Sequence, residues 1–153
     1  MNRNKIPLHT QITIGRLSML VSNFSLHEFE MKEGTVLVHP SVMQSLEHTR
    51  YDLGEQYEEE VCIRITCSTR SYEYNDILGE SLGWIEDGGA VSRVSRHLPK
   101  YGGIAVDFVA YRKRNKRKIP QSVVAEIAAR HFDYVKADYK DGHIHADNRN
   151  QKP

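Results

Sequence analysis

The stretch "VSRVSRHLPKYGGIAVDFVAY", residues 91–111, decides the fold. Its second half alternates with the period of two that marks a strand. Ile104, Val106 and Phe108 share one face, and Gly103, Ala105 and Asp107 share the other. The first face belongs to a core. The second is small except for its carboxylate, and a carboxylate among apolar neighbours is costly unless it is paired or metal-bound. His97 stands just before this strand, at the end of a loop.

Working outward, "VCIRITC" (61–67) alternates Val61, Ile63 and Ile65 against Cys62, Arg64 and Thr66, the pattern of a half-buried strand. Before it, "HPSVMQSLEHTRYDLG" (39–54) has Ser41 as a candidate N-cap, Val42, Leu46 and Leu53 at near-helical spacing, and Gly54 as a natural stop. "NFSLHEFEMKEG" (23–34) carries a capping-box pair, Ser25 and Glu28. Residues 68–103 read as one long Gly- and Ser-rich loop, and long ordered loops tend to be functional. "IPQSVVAEIAARHF" (119–132) is a helix opened by Pro120, with His131 near its end. "DYVKADYKDGHIHAD" (133–147) is a hairpin turning at Asp141-Gly142. "QITIG" (11–15) reads as a short strand. The order predicts α+β: a small, mostly antiparallel sheet with flanking helices.

The chain has 153 residues, 39% of them hydrophobic, with a formal net charge of +1. That is one domain, 1–153, able to bury a core without staples. Residues 1–22 form an N-terminal extension and 148–153 a flexible tail. No apolar run reaches transmembrane length. The basic start lacks the apolar block and cleavage site of an export signal, which points to synthesis and retention in the cytoplasm. Cys62 and Cys67 lie an odd number apart, on opposite faces of a regular strand, and read as reduced packing residues.

In "HIH", His143 and His145 point the same way if the segment is a strand. They are either ordinary hairpin histidines or part of a site. Two histidines and one aspartate, with water in the fourth position, suit a tetrahedral catalytic zinc. Arg70 is either a surface residue at a strand end or, aimed into a cleft, a bidentate partner for a carboxylate or carbonyl. Trp84, in "SLGWIEDGGA", either lines that cleft or pins the loop to the core. "RKRNKRK" puts six cations in seven residues, Arg112 to Lys118. It is a solvated connection or an electrostatic hold on an anionic surface. No base-reading module accompanies it, so specific nucleic-acid recognition is not expected.

"ITCSTRSYEYN", "SRHLPKYGGIAVDF" and "GHIHAD", in that order, resemble the zinc D-alanyl-D-alanine carboxypeptidase family, which includes phage peptidoglycan endolysins. The family pattern is an S-x-x-R turn, then S-x-H-x-x-G-x-A-x-D, then a closing H-x-H. "NFSLHEFEMKEG" is similar to the F-x-x-x-E-F opening of one branch. The resemblance spans residues 23–147. It implies a D,D-peptidase/hedgehog-like fold and one Zn2+ per chain held by His97, Asp107 and His145. It implies His143 as general base or transition-state partner, Arg70 on the substrate carbonyl or carboxylate, and Ser95 supporting the His97 loop. The substrate class it implies is peptidoglycan stem peptides.

Three positions depart from the family pattern. "LPKYG" lengthens the loop between His97 and Gly103, "CSTR" replaces the usual turn before Arg70, and Gly142 stands where some relatives carry a glutamate base. The base is then His143 or Asp141. The expectation is a monomeric peptidoglycan hydrolase, carboxypeptidase or endopeptidase, made in the cytoplasm and acting on the cell wall after release. The competing expectation is a non-catalytic zinc-containing domain that grips an anionic wall or nucleic-acid polymer through residues 112–118.

Overall fold

The computed structural model describes residues 23–32 and 34–151. The strand expected at residues 11–15 lies outside them. The elements are helix α1 (Pro40–Tyr57), strand β1 (Val61–Cys67), helix α2 (Tyr72–Leu82), strand β2 (Ala105–Arg112), helix α3 (Gln121–Ala128), strand β3 (Tyr134–Lys136) and strand β4 (Ile144–Asp147). The strands form one four-stranded sheet in the order β1-β2-β4-β3, with every neighbouring pair antiparallel. This is the α+β class that the sequence order predicts.

One face of the sheet carries the core. Val61 and Ile63 of β1, Val106, Phe108 and Ala110 of β2, and Ile144 and Ala146 of β4 pack with Val42, Met43, Leu46 and Leu53 of α1 and Val124, Ile127 and Ala128 of α3. Phe24, Phe29 and Phe132 fill its margins. The capping box is present: the Ser25 amide donates to Glu28 Oε1 at 2.8 Å, opening the 3-10 turn Leu26–Phe29 that sinks Phe29 into the core. The other face of the sheet is left for a cleft.

Four expectations need correction. Helix α1 starts two residues earlier and ends later than its sequence signals suggest. Its cap is His39, whose Nδ1 accepts from the Ser41 amide, with Pro40 in the first turn. The helix runs through the buried Gly54 and stops at Glu58, which adopts φ 51°. The long loop contains helix α2, capped by the Ser71 side chain and ended by Gly83 at φ 77°. Its apolar signal is weak because Ile77 and Leu82 are exposed, and Gly79 is needed mid-helix: a Cβ there would collide with Val91 Cγ1.

The third correction concerns the cysteines. Ile65 pairs with Phe108 and Cys67 with Asp107, so Thr66 is an extra residue, a β-bulge. The bulge turns Cys67 onto the face of Cys62, which pairs with Tyr111. Both thiols are free, and Cys62 is exposed rather than packed. Their partners on β2 are four residues apart, which places them roughly 13 Å from each other along the strand, too far for a disulfide.

Last, the tail does not fray at residue 148. Asn148 is buried, donates to Ser41 Oγ and Ser45 Oγ, and its amide bonds Ile104 O at 3.0 Å. Among the described residues no helix is long and apolar enough to cross a membrane.

Candidate metal centre

The bulge, the sheet register and one loop bring the chemistry together. Asp107 on β2 sits opposite His145 on β4. His97 arrives from the loop before β2, fixed at both ends. Its amide donates to Ser95 Oγ at 3.3 Å, and its carbonyl accepts from the Arg70 amide at 2.8 Å. The inserted "LPKYG" forms a 3-10 turn, Pro99–Tyr101, with Leu98 fully buried as its anchor. Gly103 then passes so close to the chain before α1 that a Cβ would lie 2.6 Å from Leu37 O, at φ +77°. The insertion therefore leaves the position of Asp107 intact.

Three donor atoms converge. His97 Nε2 lies 3.0 Å from Asp107 Oδ1 and 3.1 Å from His145 Nδ1, and His145 Nδ1 lies 3.0 Å from Asp107 Oδ1. Ligands on zinc at about 2.0–2.1 Å and tetrahedral angles stand roughly 3.3 Å from one another, so this triangle is close to what one ion would hold. The far side of each ring is also defined. His97 Nδ1 donates to Ser68 O at 2.6 Å, and His145 Nε2 donates to Asp147 Oδ2 at 2.8 Å. With those nitrogens protonated, the lone pairs of His97 Nε2 and His145 Nδ1 both face Asp107. Such outer partners fix the tautomer that a metal requires.

Cys67 adds a fourth donor nearby. Its Sγ, a His97 ring nitrogen and an Asp107 carboxylate oxygen all lie within 4.8 Å of one another, a group able to hold a metal ion. The Cys67 contact to His97, however, is at Nδ1, 3.8 Å away, on the nitrogen already committed to Ser68. The tighter donor set is therefore His97, Asp107 and His145. The residues present fit a single divalent cation.

The electrostatics agree with a cation in this position. Burial alone would keep His97 neutral, but its bonds to Asp107 and Cys67 outweigh burial and raise its pKa to about 10. Burial would likewise raise the Asp107 carboxyl, yet its hydrogen bonds to His145 and His97 hold it well below the ordinary range. Burial pushes the Cys67 thiol up, and the neighbouring His97 more than offsets this. Without an ion, the two imidazoles are drawn toward their protonated forms by the Asp107 carboxylate between them.

His143 lies at the lip, just before β4. Its Nδ1 bonds Asp141 Oδ1, so its Nε2 faces inward, 3.8 Å from Asp107 Oδ2. Tyr139 stacks on the imidazole with ring centroids 4.1 Å apart. Gln121 Nε2 donates to His143 O at 2.7 Å and Lys118 Nζ to Asp141 O at 2.8 Å, tying this loop to the start of α3. The Asp141 side chain is 70% exposed, on the outer side of the ring.

Arg70 is buried along the same cleft. Its Nη1 reaches Asn75 Oδ1 at a long 3.5 Å, its guanidinium lies 5.6 Å from the Trp84 ring, and its Nε is buried without a hydrogen-bond partner. Trp84 thus lines the cleft and is not packed into the core. The cleft has a volume of about 1220 Å³ and collects His97, Asp107, His143, His145, Arg70 and Trp84.

Sequence reasoning missed Asp147 and Arg149. Asp147 is fully buried and accepts from Arg149 Nε and Nη2, both at 2.8 Å, as well as from His145. Burial would raise its carboxyl, but the bonds from Arg149 and His145 draw it down to about 2. The signal was present: on a strand, a residue two beyond His145 shares its face.

The basic run is partly neutralised. Arg112 pairs with Glu59 at 2.8 Å and Lys113 with Glu60 at 3.0 Å, while Lys118 is spent on Asp141 O. No protein-family model, curated protein or solved structure matches this chain.

Proposed function

We propose that the chain is a zinc-dependent peptidase that hydrolyses an amide bond in bacterial peptidoglycan peptides. The observation that carries this reading is the triangle of His97 Nε2, Asp107 Oδ1 and His145 Nδ1, with edges of 3.0–3.1 Å, in a cleft that also holds an inward-facing imidazole and a buried guanidinium. Two imidazoles and one carboxylate leave a coordination position open, the pattern of a catalytic rather than a structural zinc. When bound, zinc supplies Lewis acidity and lowers the pKa of water to about 7. The substrate class rests on the resemblance of residues 23–147 to the D,D-peptidases.

The residues divide the work by position. His143 Nε2, held inward by Asp141 and by the Tyr139 stack, accepts a proton from the attacking water. It returns that proton to the amide nitrogen as the C–N bond breaks and the amine leaves. Asp141 orients the ring and is not itself the base, because its carboxylate lies on the solvent side of the imidazole. Arg70, whose side chain lines the cleft, holds the developing oxyanion or a substrate carboxylate. Ser95 keeps His97 in place. No covalent acyl-enzyme forms.

A monomer that waits inside the cell and reaches the wall only after the membrane opens fits this role. The non-catalytic alternative, a zinc domain that grips an anionic polymer through residues 112–118, is weakened by the Glu59 and Glu60 pairings of Arg112 and Lys113.

The test measures zinc content and peptidoglycan digestion for the wild type and for His145→Ala. One zinc per chain, lost together with activity in the variant, supports the reading, and fragment masses name the bond. Digestion that persists in the metal-free protein sinks it.

A further inference from the structure

Lys136 ends a row of residues that crosses the whole sheet. Cys67 is opposite Asp107, Asp107 opposite His145, and His145 opposite Lys136. Directly opposed residues of antiparallel strands point to the same face with Cβ atoms about 4.5–5.5 Å apart. Lys136 therefore stands one strand beyond His145, on the cleft face, and its side chain lines the cleft. Arg70 lies past the opposite end of the row, three residues after Cys67. The candidate metal ligands are thus flanked by a guanidinium on one side and an ammonium on the other.

The engagements of these cations differ. Lys32 lies 3.9 Å from the Tyr74 ring and Arg96 4.6 Å from the Tyr101 ring, so both of those cleft cations are seated on aromatic faces. Lys136 is held loosely: its Nζ is 3.6 Å from Asp138 Oδ1, on a carboxylate 71% exposed, and 5.2 Å from the Tyr139 ring. An ion pair that long and that wet exchanges easily for a better-placed anion. The Lys136 side chain is 45% exposed, so its ammonium has donors to give a ligand.

We propose that Lys136 is a second anion-binding position, and that the substrate is an acidic peptide with a carboxylate on each side of the amide: one on Arg70, the other on Lys136. This rests on the peptidase reading and narrows its substrate. A neutral peptide engages only one end of the row. Lys136 sets substrate choice and touches no reacting atom, so its removal raises KM for the acidic substrate while leaving kcat in place.

Trp84, the only tryptophan of the chain, lies beside Arg70 and reports binding through its emission. The probes are a stem tetrapeptide with a free glutamyl α-carboxylate and the same peptide with that group as carboxamide, titrated into the zinc-loaded full chain. The wild type should bind the carboxylate form about fivefold more tightly, the scale of a partly exposed ion pair. Lys136→Met should bring that ratio to one, and Lys136→Arg should restore it. Equal affinity of the wild type for both peptides, or an undiminished ratio in Lys136→Met, overturns the proposal. Hydrolysis is followed in parallel. Discrimination without cleavage of either peptide sinks the peptidase reading and leaves the second anion position standing.

Discussion

Replacing Asp147 by asparagine changes almost no volume and yet should disable the metal centre. The carboxylate is fully buried. Its Oδ1 accepts from the Arg149 amide at 3.1 Å and Arg149 Nε at 2.8 Å, and its Oδ2 accepts from Arg149 Nη2 and His145 Nε2, each at 2.8 Å. An asparagine has one acceptor oxygen, and Arg149 has only donors to offer it. The oxygen therefore stays at the Oδ1 position and the NH2 group faces His145. A donor there favours the His145 tautomer with Nε2 bare and the proton on Nδ1, the atom that points at Asp107 and His97. Zinc must then displace that proton against the preferred tautomer.

Losing such an outer partner typically weakens metal binding about 10- to 100-fold, which is about 1.4–2.8 kcal/mol. Zinc affinity is measured by competition with a chromophoric chelator. The tautomer is read from the nitrogen shifts of His145. Arg149→Ala serves as the control, because it keeps the carboxylate on His145 while removing its other partner. That variant should lose folding stability and retain more of the zinc affinity than Asp147→Asn. A folded Asp147→Asn protein that binds zinc within twofold of the wild type would refute the reasoning.

Other outcomes follow from the same geometry. His143→Ala should keep its zinc and lose about 10²–10⁴-fold in kcat, the usual contribution of a positioned general base; metal content and turnover are measured on the same sample. Gly103→Ala forces a Cβ to within 2.6 Å of Leu37 O at positive φ. It should cost about 2–4 kcal/mol, read as a lower urea midpoint with an unchanged m-value. Burial first, and then His131 beside it, hold the His48 pKa below its ordinary value, against the opposing pull of Asp52 and Glu47. The unfolded chain therefore takes up the His48 proton first as pH falls, and this part of the stability is lost as pH drops through the unfolded value of about 6.5. His48→Gln should flatten the fall in urea midpoint between pH 7.5 and 5.5; an identical slope in both proteins would contradict this.

The sequence carries the strands well because their alternation is strong. Val61 and Ile63, then Val106 and Phe108, are buried on one face as the period of two requires. Alternation also puts Asp107 on the small face of its strand and His143 and His145 on one face, while the choice of His97, Asp107 and His145 as ligands rests on the resemblance to the D,D-peptidases; the structure brings those three within hydrogen-bond distance. What the alternation cannot reveal is its own interruption. Thr66 bulges out of the β1–β2 ladder, so counting by twos sends Cys67 to the wrong face. Helix α2 was hidden because its apolar residues Ile77 and Leu82 face solvent and a glycine sits in its middle, both signals of loop. His39 caps through a local bond from the Ser41 amide and was missed because histidine is not among the usual cap residues, whereas Lys136 as the end of the cleft row depends on neighbours distant in sequence and is set only when the sheet assembles.

The order of the strands has a consequence for how the protein is built. β4 comes last in the chain but lies inside the sheet, between β2 and β3. Until it inserts, Asp107 looks out from an open edge and His97 lacks its partner imidazole. A chain without β4 then lacks His145, one of the three donors of the tighter set, and a metal ion held by all three would bind fully only after that strand closes. An ion that binds only the finished sheet stabilises it by mass action and acts as a latch on that strand. Stripping the metal should release β4 and its hairpin before the helical side of the core, with their amides exchanging hydrogen first. The centre that would do the chemistry would also certify that the chain had finished folding.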